Sequence, residues 1–425
     1  MSPKLLQKTL LGAAISSASL SAIAAETTFN GFASVVGGIA LNQETLPFGC
    51  KAMFAADPGY IGLAVGEPGT TCEGDLDPTN QAGASTTSVN RKAAYSDQLS
   101  FTPDSNYGLQ IKSDLNNGLS FTAQLTGRGS KDFQAELESA YLTYDFTPNT
   151  TLQAGRQRLP LYYYSDFFDV GYAYHWIRPP IDVYANTQNT FEGVSLTQRA
   201  SFGSWSAQGR IYTGSAYNPL SRFGDSSTDS LTGGLLEASN DYLRLRASYV
   251  QGDFYVRGTL TDKSNEQPGY FGSLSAHLTL GNFFALVEGT AGGFHDDDAY
   301  FSTTPVTDVI NPVDPRTWDR GMTALDSAMI SAGWIFGDFT PHITYSQNTL
   351  ELAIINPLNG KPIDNDELYV AASTWTYGLR WDFHPSADFK VEYSARTDDS
   401  GSLFVASEGK TQGVDVLSMG FDVIF

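Results

Sequence analysis

The chain is poor in cysteine, in basic residues and in long apolar runs, and each shortage removes a class of protein. Its 425 residues include two cysteines and five histidines, and only 17% are charged, with 25 Lys and Arg against 46 Asp and Glu. The formal charge of −21 excludes a general nucleic-acid binder, because such a surface repels phosphate. After the first 25 residues no stretch of roughly 18 uninterrupted apolar residues occurs, so no transmembrane helix is expected. No Gly-x-Ser-x-Gly elbow occurs. The run "EGKT" (Glu408 to Thr411) imitates the tail of a phosphate loop, but Phe404 stands where its first glycine belongs. His175, His277 and His342 have no nucleophile or paired carboxylate at fixed spacing, so no catalytic residues are assigned, and lining of a polar interior is their ordinary reading.

Residues 1–25 read as a signal peptide: Lys4 and Lys8 precede a short apolar, serine-containing run, and small residues at 22–25 offer a cleavage site. Removing the two lysines takes the charge to −23. In an exported chain, Cys50 and Cys72 are expected to form a disulfide within one long loop; two free thiols are the alternative.

Glycine (41), tyrosine (22) and phenylalanine (26) are plentiful instead. From Glu26 onward, segments of about ten residues alternate apolar and polar, separated by turn residues. In "STWTYGLRWDF", Trp375, Tyr377, Leu379, Trp381 and Phe383 share one face, while Thr374, Thr376, Arg380 and Asp382 share the other. Period two cannot be helical, because a helix would spread those rings around its whole circumference. Sixteen strands are expected, at 27–41, 105–115, 119–129, 135–146, 151–160, 190–201, 205–214, 241–251, 254–263, 269–280, 283–293, 325–336, 339–349, 370–383, 387–397 and 414–425. Connections at 42–104, 161–189, 215–240, 294–323, 350–369 and 398–413 read as loops, mostly long, and the others, "QGD" (251–253) among them, as tight turns. Short turns on one rim and long loops on the other describe an all-β, transmembrane antiparallel β-barrel of about 16 strands. A soluble sandwich or propeller shares the alternation but not the aromatic flanks of its apolar faces.

Two segments carry a family resemblance. The last strand, "VDVLSMGFDVIF", puts Leu417, Met419, Phe421, Val423 and Phe425 on one face and ends in Phe. Gly155-Arg156, at the end of the fifth strand, is followed by "LPLYYYSDFFDVGYAYHW", nine rings in eighteen residues, and then by Pro179-Pro180. The mature chain, 26–425, resembles Gram-negative outer-membrane general porins of the 16-stranded, trimeric kind. It lacks their Pro-Glu-Phe-Gly-Gly-Asp loop signature, and its first external loop is far longer.

The resemblance implies a passive diffusion channel for small hydrophilic solutes and ions in the bacterial outer membrane. Phe421, Val423 and Phe425 would form the signal read by the barrel assembly machinery. The lipid bilayer, lipopolysaccharide and two further copies of the chain are the expected partners. Residues 161–189 would fold inward as the constriction loop, with Tyr162, Tyr163 and Tyr164 packed on the inner wall, Asp166 and Asp169 facing the opening, and His175 and Arg178 within it. Parity points Arg128, Arg244, Arg246, Arg257, Arg380 and Arg396 inward; Arg156 is placed there on the resemblance alone, against the parity of Leu152 and Ala154. A substrate-selective channel with an aromatic-lined site and an outer-membrane enzyme are the other readings. No cofactor and no metal site are expected, although "HDDDAY" (Asp296 to Asp298) and "DNDE" (Asp364 to Glu367) offer oxygen ligands for calcium or other divalent ions in external loops.

Overall fold

A strand with one greasy face and one wet face has two ways to satisfy both: pack as a sandwich around a core, or roll up with the greasy side outermost. The computed structural model takes the second. It describes residues 26–43, 54–55, 94–95, 97–184, 188–220, 224–257, 267–295, 301–302, 320–355, 362–363, 369–398 and 412–425.

Among the described residues, sixteen long strands form the wall. They are β1 (Glu26–Gln43), β2 (Asn106–Asp114), β3 (Leu119–Arg128), β4 (Ala135–Thr147), β5 (Thr150–Arg158), β6 (Thr190–Phe202), β7 (Trp205–Leu220) and β8 (Gly224–Ser239). The second half comprises β9 (Leu243–Arg257), β10 (Gln267–Leu280), β11 (Phe283–Phe294), β12 (Arg320–Trp334), β13 (Phe339–Ile355), β14 (Tyr369–His384), β15 (Ala387–Asp398) and β16 (Gln412–Ile424). Every strand pairs antiparallel with its neighbours in sequence. The ring closes where β1 pairs with β16, from Phe32 opposite Ile424 to Gln43 opposite Val414. Among the described residues the ring leaves no strand with an open edge.

Alternation decides what each side meets. Trp375, Tyr377, Leu379, Trp381 and Phe383 of β14 are all exposed on the outer face, while Thr374 and Thr376 on the opposite parity are buried inside. Seven turns of two to four residues, from 115–118 to 385–386, lie along one rim. Phe146, Phe202, Tyr242, Phe336, Phe339, Phe383 and Phe425 ring that rim on the outside, where amphipathic rings suit a membrane interface.

The count of sixteen agrees with the sequence reading, but two of its assignments were wrong and cancelled. Residues 215–240 are not an external loop: β7 runs on to Leu220, and β8 occupies 224–239. The segment "GDSSTDSLTGGLLEAS" hides as a strand because it is polar and because its parity changes midway. One extra residue near Ser230, whose φ is 52°, shifts the register against both neighbours. Thr228 and Leu235 therefore both point inward, although their positions differ by an odd number, and Leu236 points out. Conversely, "QGD" is no turn: Gly252 pairs with Gly269 and Asp253 with Pro268, so β9 is a single strand.

The seam depends on one glycine. Gly31 donates its N–H to the Phe425 carbonyl at 2.7 Å and accepts from the Phe425 N–H at 3.0 Å. A Cβ at Gly31 would stand 2.3 Å from the Phe425 ring, so only glycine lets the ring lie across β1. Gly31→Val is expected to cost about 1–3 kcal/mol by overpacking. It should lower the temperature at which the folded band converts to the unfolded band in semi-native electrophoresis; an unchanged midpoint would show that the ring moves aside freely.

Candidate functional site

Between β5 and β6 the chain does not turn back outside but enters the barrel. Residues 159–184 line up against the inner wall, and most of their apolar side chains are buried: Leu161, Tyr162, Trp176 and Tyr184 are each at most 3% exposed. They form the main apolar cluster of the molecule, together with Tyr163, Tyr164 and Tyr174 and with inward side chains of the wall such as Phe271, Leu286 and Met329. Tyr162 packs edge-on to Phe271 and against Tyr184, and Tyr164 meets Trp176 edge-on. Rings with polar tips suit this place, because each can seal apolar area and still meet a hydrogen-bond partner on a polar wall.

The wall holds the loop through polar groups that alternation has already turned inward. Glu288 of β11 accepts from the Tyr163 N–H and the Tyr184 hydroxyl, both at 2.7 Å. Ser248 and Ser273 donate to the Leu161 carbonyl at 2.7 and 2.5 Å. The Trp176 indole donates to Thr344 at 2.8 Å, and the Ile177 N–H to Glu392 at 3.0 Å. Lys390, 1% exposed, donates to the carbonyls of Gly171 and Trp176 and pairs with Asp422 at 2.7 Å. Asp182 accepts from Ser346 and pairs with Arg396. These contacts fix the loop against β9 to β15.

Most of the arginines expected to line the opening hold the loop instead. Arg128 reaches Asp169 and Glu138 at 2.8 Å each. Arg158 also pairs with Asp169. Asp169 is therefore not at the opening: it is 2% exposed and clamped between two guanidiniums. Burial alone would raise its pKa, but Arg128 and Arg158 outweigh that and bring it down to about 2. Arg380 donates to the carbonyls of Tyr172 and Tyr174 at 2.9 and 2.8 Å. Arg246 lies 3.3 Å from Asp166 and 3.6 Å from Glu237. Arg244 is half exposed inside the lumen, near Glu237 and the Tyr163 hydroxyl. Arg178 pairs with Asp104 at 3.4 Å.

Arg156 does not face the lumen. It lies on the outer face with Leu152 and Ala154, 3.1 Å from Glu192, so parity and not the family resemblance gave its orientation. Arg257 ends β9, and its side chain is outside what the structure describes, as are Cys50, Cys72 and both acidic stretches, 296–298 and 364–367. Phe421, Val423 and Phe425 are exposed on the outer wall. His175 bonds Ser331 at 3.0 Å and meets His342 edge-on; burial first, and then His342, holds its pKa well below the ordinary range. Among the described residues no group of three or more His, Cys, Asp or Glu is placed to hold a metal ion.

With most of the loop bound to β9–β15 and Asp169 clamped to Arg128 of β3 and Arg158 of β5, the remaining open space lies against β2 to β7. Near the short-turn rim it measures about 700 Å3, bounded by Lys112, Thr122, Tyr141, Asp145, Gln153 and Arg199. Beside the loop it measures about 270 Å3, where Asp166 faces Arg158, Arg199 and Arg210. The two spaces share Gln110, Tyr141, Gln153 and Arg199 in their linings and so adjoin along β2 to β6. Lys112, Arg158, Arg199 and Arg210 were not singled out from sequence. The signal for Arg199 and Arg210 was the ordinary one, a cation on the polar parity of an alternating strand.

No protein-family description matches the chain, and no curated protein matches it in sequence. Solved structures do match along nearly its whole length. The outer membrane channel DcaP of Acinetobacter baumannii aligns at 10% identity and a TM-score of 0.53, covering 95% of this chain and 99% of that one. OmpF of Salmonella typhi, solved with daunomycin, aligns at 13% identity and 0.53, covering 94% and 98%. The chain has the porin fold. An anion-selective porin from Comamonas acidovorans aligns at 12% identity and 0.51, covering 95% of this chain and all of the other. At these identities the likeness is one of architecture, and the residues at the opening are this chain's own.

The clamp on Asp169 predicts how the loop responds to acid. A carboxyl whose pKa is lowered on folding adds stability above its ordinary value of 3.8, and that stability is lost as pH falls toward about 2. The Asp169 contribution to loop anchorage should therefore hold from neutrality down to about pH 4 and disappear below it. Asp169→Asn, which leaves Arg128 and Arg158 to share Glu138 and Glu136, is expected to cost about 1–3 kcal/mol. A lower unfolding midpoint at pH 7 that converges with the native protein near pH 2 is the expected result; identical midpoints at both pH values would remove Asp169 as an anchor.

Proposed function

We propose that the protein is a passive diffusion channel of the bacterial outer membrane for small hydrophilic solutes and ions. The observation that supports this best is the arrangement of its interior. A closed wall with apolar side chains outward surrounds a polar lumen, and an inward loop fills one side and leaves two adjoining polar spaces on the other. A wall greasy on the outside belongs in hydrocarbon, and a passage lined by Gln, Thr, Lys and Arg belongs in water. The architecture shared with outer-membrane channels supports the same location.

The substrate-selective alternative needs aromatic rings along the route. Here the rings of the loop are packed against the wall and one another, and the passage is bordered mainly by amides, hydroxyls and charges. For the enzyme alternative neither buried histidine is well placed: His175 is tied to Ser331, and His342 is sealed beneath Gly378. A diffusion channel fits both facts better.

The proposed assembly is a trimer. Arg156 and Glu192 face outward beside Leu152, Val194 and Leu196, where a lone barrel would present an ion pair to lipid. Cover by a neighbouring copy removes that cost. The outward Phe421, Val423 and Phe425 are proposed as the segment read by the assembly machinery. The acidic external stretches are proposed to bridge lipopolysaccharide through divalent ions, and Cys50 and Cys72 to be joined.

Two measurements test the proposal. Refolded protein in planar bilayers should give steady conductance that closes in three equal steps, and liposomes containing it should swell at rates that fall with solute size. Silent bilayers would refute the channel, and a sharp choice between isomers of equal size would favour the selective alternative. In the double variant Arg156→Ala with Glu192→Ala, the trimer band should separate into monomers at a lower temperature, while each monomer keeps its own unfolding midpoint. A trimer as resistant as the native one would place the interface elsewhere on the wall.

A further inference from the structure

The chain carries an excess of 21 negative charges, yet its passage does not. Along the two adjoining spaces, four cations (Lys112, Arg158, Arg199 and Arg210) face two carboxylates, Asp145 and Asp166. The balance is more one-sided than those numbers. Arg158 is spoken for by Asp169 and Glu138, and Asp166 by Arg246. Among the described residues no carboxylate pairs with Lys112, Arg199 or Arg210. Arg199 donates to the Thr151 hydroxyl at 3.1 Å and is otherwise exposed to the lumen. Arg210 donates through Nη2 to Gln157 Oε1 at 2.7 Å, and its Nε has no hydrogen-bond partner.

The two guanidiniums are neighbours by register: Thr197 pairs with Arg210 and Arg199 with Gln208 across β6 and β7, so the two point into the same space on adjacent rungs. Gln110, Gln124, Gln153, Gln157 and Gln208 surround them. Amides add donors and acceptors without charge, so Asp166, itself held by Arg246, is the one carboxylate lining that space to offset their field. Gln157 also accepts from Ser195 at 2.6 Å, which fixes the amide oxygen that steers Arg210.

We infer that this passage selects small anions over cations and holds carboxylates transiently at Arg199 and Arg210. The inference rests on the channel reading and names its solute class. A guanidinium presents parallel N–H donors that match the two oxygens of a carboxylate, and inside a narrow, partly desolvated route such a pair is stronger than in bulk water. Rings of Arg or Lys set anion preference in pores, and low-dielectric walls focus the field of a few charges. Lys112, nearer the short-turn rim, carries the same sign along the route and supplies the next step for an anion leaving the pair.

The test is the reversal potential of single channels across a potassium chloride gradient, followed by titration of potassium succinate on one side. The native protein should pass chloride several-fold better than potassium, and succinate should reduce the chloride current in a saturable way. The triple variant Lys112→Gln, Arg199→Gln, Arg210→Gln should bring the permeability ratio to one or below and abolish the succinate effect. The pair Arg199→Lys with Arg210→Lys should keep the chloride preference but lose most of the succinate effect, because an ammonium lacks the paired donors. Arg199→Gln alone, at an exposed site with one hydrogen bond, serves if the triple variant does not fold, and should shift the ratio part of the way. Normal conductance with a preference for potassium, or an Arg199→Gln variant with the native reversal potential, would overturn the inference and leave the channel reading standing. No conductance in any form would overturn the channel reading itself.

Discussion

Hydrocarbon contains no water, so a backbone crossing it must find every hydrogen-bond partner within itself. That constraint governs this molecule. It forces the sixteen strands into a ring, makes β1 meet β16 and brings Phe425 across Gly31 to complete the last rungs. Once the ring is closed and the apolar parity is outermost, everything hydrophilic in the strands must face inward. The lumen is therefore polar as a consequence of the wall, and the loop that enters it meets serines, threonines and charges wherever it goes.

An aromatic segment might be expected to be repelled by such a surface. It is accepted because its backbone and ring tips supply the polar partners that the wall requires. Glu288, Glu392 and Lys390 each take up loop N–H or carbonyl groups that would otherwise lack partners, and the rings then close over them and exclude water. Buried charge and buried ring depend on each other here. Removing either leaves the other in the wrong surroundings, which is why the anchoring side chains lie so close to fully buried while the groups along β2–β7 remain open to solvent.

Strand existence, the inward parity of Arg128, Arg244, Arg246, Arg380 and Arg396, and the outward aromatic face were all legible in the sequence, because period two is a local property. The division of labour among those cations was not. Whether an inward arginine lines a route or grips a loop depends on where residues 159–189 come to rest, and that is a long-range fact which no spacing records. Asp166 and Asp169 sit three residues apart in one aromatic stretch, yet one faces the passage and the other is enclosed by Arg128 and Arg158. Arg156 teaches the reverse lesson: its own neighbours, Leu152 and Ala154, indicated its side of the wall, and analogy with other barrels pointed the wrong way. The polar strand β8 escaped detection because its bulge breaks the rhythm on which recognition relies.

That bulge has a consequence for how the wall tolerates change in length. Upstream of Ser230 the even-numbered Thr228 looks into the lumen; downstream the odd-numbered Leu231 and Leu235 do. Deleting the single extra residue would either slide one half of the strand along both neighbours or turn it over, driving Leu231 and Leu235 toward lipid and Leu236 toward water. Removing two residues from a regular stretch shortens a strand but keeps its sides. Length variation in such a wall should therefore accumulate in pairs, with odd steps confined to places where the rhythm already skips.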